Sequence, residues 1–394
     1  MDFTHFKNYM DTLIEKYNVP GLDCIVYQDH EMLFRYFTGM SDKEAGKAMQ
    51  GNELYLIFSM TKMLTCTAAL QLFEKGHYIM SDPISKWLPE FETMKISTDE
   101  LDTSSGAKVS TGVTTGDGEE SSVSGYAKTP ITVKHLFTMS AGLNYNLSDD
   151  AIKTAIAEGK KSTRELVGAM ANKTLLFEPG TRFQYSLCHD VLGALIEVWS
   201  GKSLGEYMKE NIFEPLGMKN TFFGVTKDEE KLSRMMVRYT YDENGVPERV
   251  PLECVYNITD DYESGGAGLT SCPEDYAIFL DALACGGTGK NGYRLLSPAT
   301  VELMGTNQLT GKQSDDFDKM RRGYGYGLGV RTHINKAESG SLSPVGEFGW
   351  DGAAGSFSMV DTKNKLSLTY FQHVHRWDIR IQTEMRNALY SCLD

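Results

Sequence analysis

The 394-residue sequence has few of the features that mark secreted, membrane or nucleic-acid-binding proteins. Its seven cysteines are odd in number and scattered, with no C-x-x-C pair. This pattern excludes a disulfide framework and a cysteine-based zinc site. No run of 18 apolar residues occurs, so the sequence predicts no membrane-spanning helix. Basic residues number 39 against 53 acidic residues, and the net charge of −14 disfavours nucleic acids and anionic membranes as partners.

The N-terminal 17 residues also lack the apolar segment of a signal peptide, because charged side chains interrupt them between Asp2 and Lys16. Together with the unpaired cysteines, this favours a cytoplasmic protein. The chain can bury a substantial core, since 41% of its residues are hydrophobic and 11% are aromatic. Its length fits about two domains, or one domain with a large insertion.

Strand-like runs lie near both ends of the chain, and helical patterns fill the middle. A predicted hairpin covers 22–37, and later runs at 324–330, 356–360 and 366–371 are joined by short turns, which favours antiparallel pairing. The sequence therefore predicts an α/β fold of the α+β type, with an antiparallel sheet flanked by helices. Residues 1–58 and 259–394 would form the sheet domain, and 59–258 an inserted, mainly helical subdomain.

Helix signals and one polar insert complete this outline. Apolar spacing predicts helices at 6–17, 61–75, 133–139 and 376–392. Capping boxes are expected at three starts: Ser162 with Glu165, Ser203 with Glu206, and Ser271 with Glu274. Residues 97–128 are rich in Ser, Thr, Gly, Asp and Glu. We expect them to form a surface excursion beside the pocket mouth, such as a flap or weak hairpin.

The strongest chemical signal is Ser59-Met60-Thr61-Lys62, at the start of the predicted 61–75 helix. The i, i+3 spacing puts the hydroxyl of Ser59 and the amine of Lys62 on one helix face. A serine becomes nucleophilic beside a base, and a helix N-terminus offers N–H groups to an oxyanion. The alternative interpretation is a helix-capping serine and an ordinary surface lysine. Alone, S-x-x-K is weak, because chance matches occur in most chains of this size.

Two further segments carry candidate groups. Tyr185 follows a Glu-Pro-Gly-Thr turn, and a neighbouring Lys62 ammonium would lower its phenol pKa from about 10 and create a usable base. The segment Gly349-Trp350-Asp351-Gly352-Ala353-Ala354-Gly355 crowds glycines before a strand, where a substrate can approach the backbone closely. A tyrosine packed on a helix and a tight turn between strands are the alternative interpretations.

Other patterns carry less weight. Gly201-Lys202-Ser203-Leu204-Gly205 matches G-x-S-x-G with His189 and Asp190 nearby, but a helix precedes it and Ser203 heads a capping box. His373 and His375 could bind a metal, yet no third ligand occurs at motif spacing, so a structural or pocket-lining role is favoured. The sequence thus predicts neither a metal nor a cofactor.

Taken together, Ser59-x-x-Lys62, Tyr185 and the 349–355 segment resemble the class C β-lactamase-like serine hydrolases. Longer stretches are also similar to this family over nearly the whole chain apart from the 97–128 insert: TPITVKHLFTMSAGL at 129–143, FEPGTRFQYS at 177–186, IFEPLGMKNT at 212–221, ESGGAGLTSCPEDYAIF at 263–279 and RLLSPATVELM at 294–304.

The resemblance implies a role for each matched residue. Ser59 would be acylated, Lys62 and Tyr185 would move protons, and the N–H groups of Ser59 and Ala353 would form the oxyanion hole. The family fold, an antiparallel sheet with helices and a helical subdomain, agrees with the outline above.

Two departures from the family's β-lactamases concern substrate binding. Leu187 stands where they have Asn, and Trp350-Asp351-Gly352 stands where they have Lys-Thr-Gly. Trp350 would offer an apolar wall, as in the family VIII esterases, and Asp351 would repel a substrate carboxylate. These four residues, Leu187, Trp350, Asp351 and Gly352, are the expected substrate contacts.

The resulting hypothesis is a metal-free and cofactor-free serine hydrolase that acts through an acyl-enzyme on a small ester, amide or short peptide. A carboxylesterase is favoured. The alternatives are a β-lactamase, a D-amino-acid amidase or D-alanyl-D-alanine peptidase, and a non-catalytic binding homologue.

Overall fold

A computed structural model describes residues 1–97, 123–375 and 379–393. Its central feature is an eight-stranded sheet to which both ends of the chain contribute. In spatial order the strands are Tyr324–Tyr326, Arg331–His333, Phe348–Gly349, Phe357–Asp361, Leu366–Gln372, Gly21–Gln28, Glu31–Asp42 and Lys47–Ala48. Every neighbouring pair is antiparallel, which confirms the expected fold class.

The middle of this sheet is covered on both faces. Gly21–Gln28 pairs with Leu366–Gln372, placing Ile25 opposite Thr369. Helices Thr4–Lys16 and Ile379–Tyr390 pack together on one face. Helix Pro273–Ala284 covers the other face, where Tyr276 contacts Phe371 with ring centroids 5.9 Å apart. Because both faces are covered, these two strands are buried almost throughout.

The remaining elements lie mostly between residues 55 and 340. The other α-helices are Thr61–Glu74, Val133–Phe137, Asp150–Ala157, Thr163–Met170, Cys188–Ser200, Leu204–Met208, Glu214–Leu216, Glu229–Ser233, Pro298–Gly305, Lys312–Asp318 and Lys336–Ser339. Single 3₁₀ turns are Phe58–Met60, Ile84–Lys86 and Pro89–Phe91, and Lys209–Phe213 is a π-helical turn. Three small sheets join Tyr55–Leu56 with Leu269–Ser271 and Phe222–Phe223, Val374–His375 with Arg238–Tyr241 and Pro247–Val250, and Lys95–Ser97 with Val123–Tyr126. None of the helices in the described part of the chain is long and apolar enough to cross a bilayer.

Helix Thr61–Glu74 runs through the interior of the molecule. All its residues from Thr61 to Leu72 are buried, and it packs against helix Cys188–Ser200. Its buried Thr65 hydroxyl donates to the Gly265 carbonyl oxygen over 2.7 Å, which satisfies a polar group that burial would otherwise penalise. A helix enclosed on all sides holds its N-terminal residues in a fixed position.

Two of the three predicted capping boxes are present in the structure. The capping boxes at Ser162 and Ser203 are confirmed. The third box is wrong, because Ser271 ends a strand and its hydroxyl bonds to Thr221 over 2.8 Å. Helix Pro273–Ala284 consequently begins after Cys272 without a side-chain cap.

The expected strand at 324–330 is also corrected. It divides into Tyr324–Tyr326 and Arg331–His333, which pair as a hairpin. The turn between them is closed by the Gly327 N–H, which donates to the Val330 carbonyl over 2.7 Å, and Gly329 has φ +81°, a conformation that favours glycine. At the polar insert, Lys95–Ser97 pairs with Val123–Tyr126, while residues 98–122 lie outside the described part of the chain.

Candidate active site

Ser59 is presented by a strained turn. It is the second residue of the 3₁₀ turn Phe58–Met60, which leads directly into helix Thr61–Glu74. Phe58 has φ +46°, a left-handed conformation that costs a non-glycine residue roughly 1–2 kcal/mol. Its buried ring packs against Tyr256, with centroids 5.9 Å apart. The packing thus holds a conformation that leaves Ser59 partly exposed at the start of a buried helix.

The Lys62 amine lies one turn further and has three oxygen neighbours. Its Nζ is 3.3 Å from Ser59 Oγ, 3.1 Å from the Tyr145 hydroxyl and 2.6 Å from the Gly266 carbonyl oxygen. Complete burial lowers the pKa of Lys62 to about 7, although the negative charge of Asp190 opposes this shift. Near neutral pH, a large fraction of Lys62 is therefore a neutral amine that can accept a proton from Ser59.

Tyr185 completes the group. Its ring is stacked between those of Tyr145 and Trp350, with centroid distances of 5.5 and 5.6 Å. Its hydroxyl accepts the indole N–H of Trp350 over 3.2 Å, and interaction with the Ser59 side chain favours the ionised form of the phenol. The structure thus brings together the three side chains that the sequence singled out.

The expected direction of the Tyr185 pKa is wrong. Desolvation raises the pKa of Tyr185 well above its ordinary value, so the resting residue is a phenol and not a phenolate. Lys62 does not offset this effect of burial, because its amine does not hydrogen-bond to the Tyr185 hydroxyl. Its Nζ lies over the Tyr185 ring, 4.6 Å from the centroid, and its hydrogen bonds go to other oxygens.

Tyr145 is a site residue that sequence analysis missed. It belongs to the Asn144-Tyr145-Asn146 segment, which the buried Lys173 holds by donating to Asn144 Oδ1 over 3.3 Å and to the Asn146 carbonyl oxygen. The resemblance described in the sequence analysis puts Leu187 where the family's β-lactamases have an Asn that orients the lysine. In this structure the Tyr145 hydroxyl and the Gly266 carbonyl take the corresponding hydrogen bonds of Lys62.

The two expected oxyanion donors are free. Within residues 1–97, 123–375 and 379–393, neither the Ser59 N–H nor the Ala353 N–H donates to another group. The segment that contains Ala353 packs against the turn that carries Ser59, because a Cβ on Gly352 would lie 2.6 Å from the Ile57 carbonyl oxygen. Only a glycine permits this approach, and the two N–H groups are available for a substrate oxygen.

The four residues expected to contact substrate have different surroundings in the structure. The Trp350 ring lies beside Tyr185, as described above, and Gly352 contributes backbone. Leu187 is 1% exposed and is part of the core, so its contact with a substrate stays a prediction. Asp351 is buried and forms an ion pair with the buried Arg321. The expectation that Asp351 presents a free charge to substrates is therefore wrong, because a guanidinium neutralises it.

The alternative sites have structural explanations. Ser203 Oγ accepts the Glu206 N–H over 3.2 Å, as a helix cap does. His373 is buried with Nδ1 2.9 Å from the Met236 carbonyl oxygen, and burial lowers its pKa to about 4. The His375 ring packs against Phe58, with centroids 6.3 Å apart. Neither histidine belongs to a group with metal-ligand spacing in the described part of the chain.

Comparison with known proteins agrees with this geometry. The family model described as Beta-lactamase matches residues 6–386. The chain belongs to the beta-lactamase family. The match covers both the strands of the central sheet and the helices that lie between them in sequence.

Relatives within this beta-lactamase family are named enzymes. The chain is 27% identical over 387 residues to the esterase EstB of Burkholderia gladioli, covering 91% of this chain and 87% of that protein. It is 30% identical over 261 residues to the lovastatin esterase of Penicillium rubens, covering 65% and 60% of the two chains. The protein is accordingly a serine hydrolase of this family, and a non-catalytic homologue is set aside.

A solved structure supports the fold. EstCE1, described as a hydrolase with promiscuous acyltransferase activity, superposes with a TM-score of 0.77 at 23% identity over 98% of this chain and 97% of its own. At this identity the likeness concerns the architecture alone.

Proposed function

We propose that this protein is a carboxylesterase whose nucleophile is Ser59. The observation that carries the proposal is the cluster of Ser59, Lys62 and Tyr185, in which Lys62 Nζ lies 3.3 Å from Ser59 Oγ and 4.6 Å from the centroid of the Tyr185 ring. It joins a nucleophile, an amine that titrates near pH 7 and a phenol that keeps its proton. Such a group contains both the base and the acid that acyl transfer needs.

Acylation begins when neutral Lys62 accepts the Ser59 proton while Oγ attacks the ester carbonyl. The carbonyl oxygen gains negative charge and is stabilised by the N–H groups of Ser59 and Ala353. When the ester C–O bond breaks, the Tyr185 phenol gives its proton to the departing alkoxide. The products of this half-reaction are an alcohol and the acyl-Ser59 ester, with Lys62 as an ammonium and Tyr185 as a phenolate.

Deacylation reverses these roles. The Tyr185 phenolate takes a proton from water as the water oxygen attacks the acyl carbon. When the bond to Ser59 Oγ breaks, the Lys62 ammonium returns a proton to the oxygen. The acid leaves, and all three residues regain their original protonation states. An alcohol in place of water would give acyl transfer by the same steps.

The surroundings of the group favour neutral esters. The Tyr145, Tyr185 and Trp350 rings form a stacked aromatic row beside Ser59. Leu187 and Trp350 replace the amide and the ammonium with which the family's β-lactamases bind substrate. A lactam carboxylate would lose hydration there without gaining a charged partner. An amine-bearing amide gains nothing from Asp351, because Arg321 already neutralises this carboxylate.

The decisive experiment labels the intact protein with a fluorophosphonate, which reacts with activated serines, and maps the adduct by mass spectrometry. We expect the adduct on Ser59, and loss of both the adduct and ester hydrolysis in Ser59→Ala. Ser203→Ala is the matched control, since Ser203 fits a hydrolase motif but caps a helix. An adduct on another serine, or an active Ser59→Ala variant, would contradict the proposal.

We also propose that the enzyme works in the cytoplasm. All seven cysteines are free, and six of them are buried, a state that suits a reducing compartment. Fractionation of the native host with an antibody against this chain tests the location. Recovery mainly in an extracellular or membrane fraction would contradict it.

A further inference from the structure

A carboxylate that the reaction above does not use lies behind Lys62. Asp190 is fully buried in the first turn of helix Cys188–Ser200. Its Oδ1 accepts the Tyr262 hydroxyl over 3.0 Å and the Ser264 hydroxyl over 2.7 Å. Burial raises the pKa of this carboxyl. These two bonds, the helix N-terminus and the nearby Lys62 all favour its ionised form.

The second oxygen of Asp190 faces Lys62 across Gly266. A Cβ placed on Gly266 would lie 2.6 Å from Asp190 Oδ2 and 3.3 Å from Lys62 Nζ. The two atoms therefore lie on either side of this one position, and because residue 266 is a glycine, no side chain separates them. Gly266 also bridges the two groups through its backbone. Its carbonyl oxygen accepts from Lys62 over 2.6 Å, and its N–H stabilises the ionised Asp190 carboxyl.

We infer that Asp190 is a positioning residue that supplies the counter-charge of Lys62 and keeps the buried amine basic enough to deprotonate Ser59. This inference rests on the proposed function, in which Lys62 is the base for Ser59. It assigns an electrostatic role to a buried carboxylate that lies close to the amine.

Burying an amine disfavours its charged form. A lysine enclosed in protein without an opposite charge can lose several pKa units, and such an amine is a poor proton acceptor. A negative charge nearby offsets this loss and brings the base towards the pH at which it operates. The two groups then titrate as a pair.

Among the residues that the structure describes, the other groups around Lys62 supply no comparable negative charge. Those on its own helix and on the neighbouring elements are the Cys66 thiol, the Cys188 thiol and the phenols of Tyr145 and Tyr185, and burial raises the pKa of each of them. His189 is held neutral, because burial lowers its pKa to about 3. The buried cation Lys173 lies beyond Tyr145, bonded to Asn144 and to the Asn146 carbonyl.

A purely structural role for Asp190 makes a different prediction. The carboxylate ties the segment that contains Tyr262 and Ser264 to helix Cys188–Ser200. If that were its whole function, removing the charge would lower activity by the same factor at every pH. If Asp190 sets the basicity of Lys62, the pH dependence itself must move.

The test compares wild type with Asp190→Asn in two assays between pH 5 and 9: kcat/KM for a nitrophenyl ester, and the rate of Ser59 labelling by a fluorophosphonate. We expect the midpoint of the acidic limb to move down by about one pH unit or more, the size expected when a charge at this range is removed. The plateau should fall by about tenfold, because a weaker base drives proton transfer less well. Tyr262→Phe is the matched control. It removes one hydrogen bond but keeps the carboxylate, so its midpoint should stay within a few tenths of a pH unit of wild type.

An unchanged midpoint in Asp190→Asn, with Ser59 still labelled, overturns the inference and leaves the proposed function intact. Absence of Ser59 labelling in wild type contradicts the proposed function itself. If Asp190→Asn does not fold, Asp190→Ala replaces it, since it carries no amide to oppose the Gly266 N–H. Failure of both variants to fold assigns Asp190 a structural role and also overturns the inference.

Discussion

The indole N–H of Trp350 donates to the hydroxyl oxygen of Tyr185 over 3.2 Å, and the two rings are stacked with centroids 5.6 Å apart. The tryptophan therefore holds the tyrosine in two ways, by contact and by a directed hydrogen bond. It was expected from the sequence as an apolar wall for the substrate. Its contacts add a second task, which is to fix the phenol that we propose protonates the leaving group.

Trp350→Phe separates these two tasks, because it keeps an aromatic ring and removes the N–H donor. We expect kcat for a nitrophenyl ester to fall by about tenfold, equivalent to about 1.4 kcal/mol, with a smaller change in KM. Steady-state kinetics give both constants. Trp199→Phe is the control, because Trp199 stacks on Tyr78 and should leave kcat unchanged. A rise in KM at constant kcat would mean that Trp350 contacts substrate and does not position Tyr185.

Gly266→Ala should abolish most activity by steric means. The new Cβ would lie 2.6 Å from Asp190 Oδ2, 3.2 Å from the Tyr145 hydroxyl and 3.3 Å from Lys62 Nζ, so these groups must move apart. A displacement of this kind costs on the order of 100-fold in kcat/KM. Gly125→Ala is a matched control, since a Cβ at Gly125 meets nothing within 4 Å. Near-normal activity in Gly266→Ala would show that the arrangement around Lys62 is adaptable.

The pH dependence of hydrolysis should show an acidic limb with a midpoint near pH 7, because burial lowers the pKa of Lys62 to about 7. The sign follows from the role of the base. Neutral Lys62 accepts the Ser59 proton, so kcat/KM rises as pH increases through this pKa. Lys62→Arg stays protonated across the range and should lose activity by about 10³-fold at every pH. A wild-type limb below pH 5 would assign the base to another group.

Substrate preference should favour short-chain aryl esters over cephalosporins. We expect a higher kcat/KM for a nitrophenyl ester than for a chromogenic cephalosporin, because the lactam carboxylate finds no cation where the family's β-lactamases have lysine. Trp350→Lys restores a cation and should lower ester turnover while improving lactam binding. The ratio of kcat/KM for the ester to that for the cephalosporin is measured for wild type and for Trp350→Lys in parallel assays, with Ser59→Ala as the blank. A wild-type preference for the cephalosporin would refute the interpretation of Leu187 and Trp350.

The positions of Ser59 and Lys62 could be predicted from sequence because their relation is local. An i, i+3 pair at a helix start has a fixed geometry whatever surrounds it. The 22–37 hairpin and the strands near 356–360 and 366–371 were predictable for a similar reason, since short runs bounded by turn residues mark them. The run at 324–330 was not, because it contains the turn of a hairpin. The third capping box failed because a serine that ends a strand directs its hydroxyl to a neighbouring chain segment, and spacing cannot reveal this.

The charges around the site were not predictable, because they depend on contacts between distant segments. Tyr145 reaches Lys62 across 83 positions. In the sequence, Asp190 stands out only because it lies near the G-x-S-x-G pattern around Ser203. In the structure its hydrogen-bond partners are Tyr262 and Ser264. The pKa of Tyr185 depends on whether burial or a nearby ammonium dominates, and that balance is set by where Lys62 Nζ points. The pairing of Asp351 with Arg321 is likewise a property of the folded chain.

The pairing of Gly21–Gln28 with Leu366–Gln372 has a consequence for biosynthesis. The first strands leave the ribosome long before their central partner exists, so the edge of the 21–42 hairpin stays open during most of translation. The segment that contains Ala353 is made at the same late stage. A nascent chain therefore carries the proposed nucleophile Ser59 without the proposed second oxyanion donor, and on this proposal we expect it to be inactive until the last strands join the sheet.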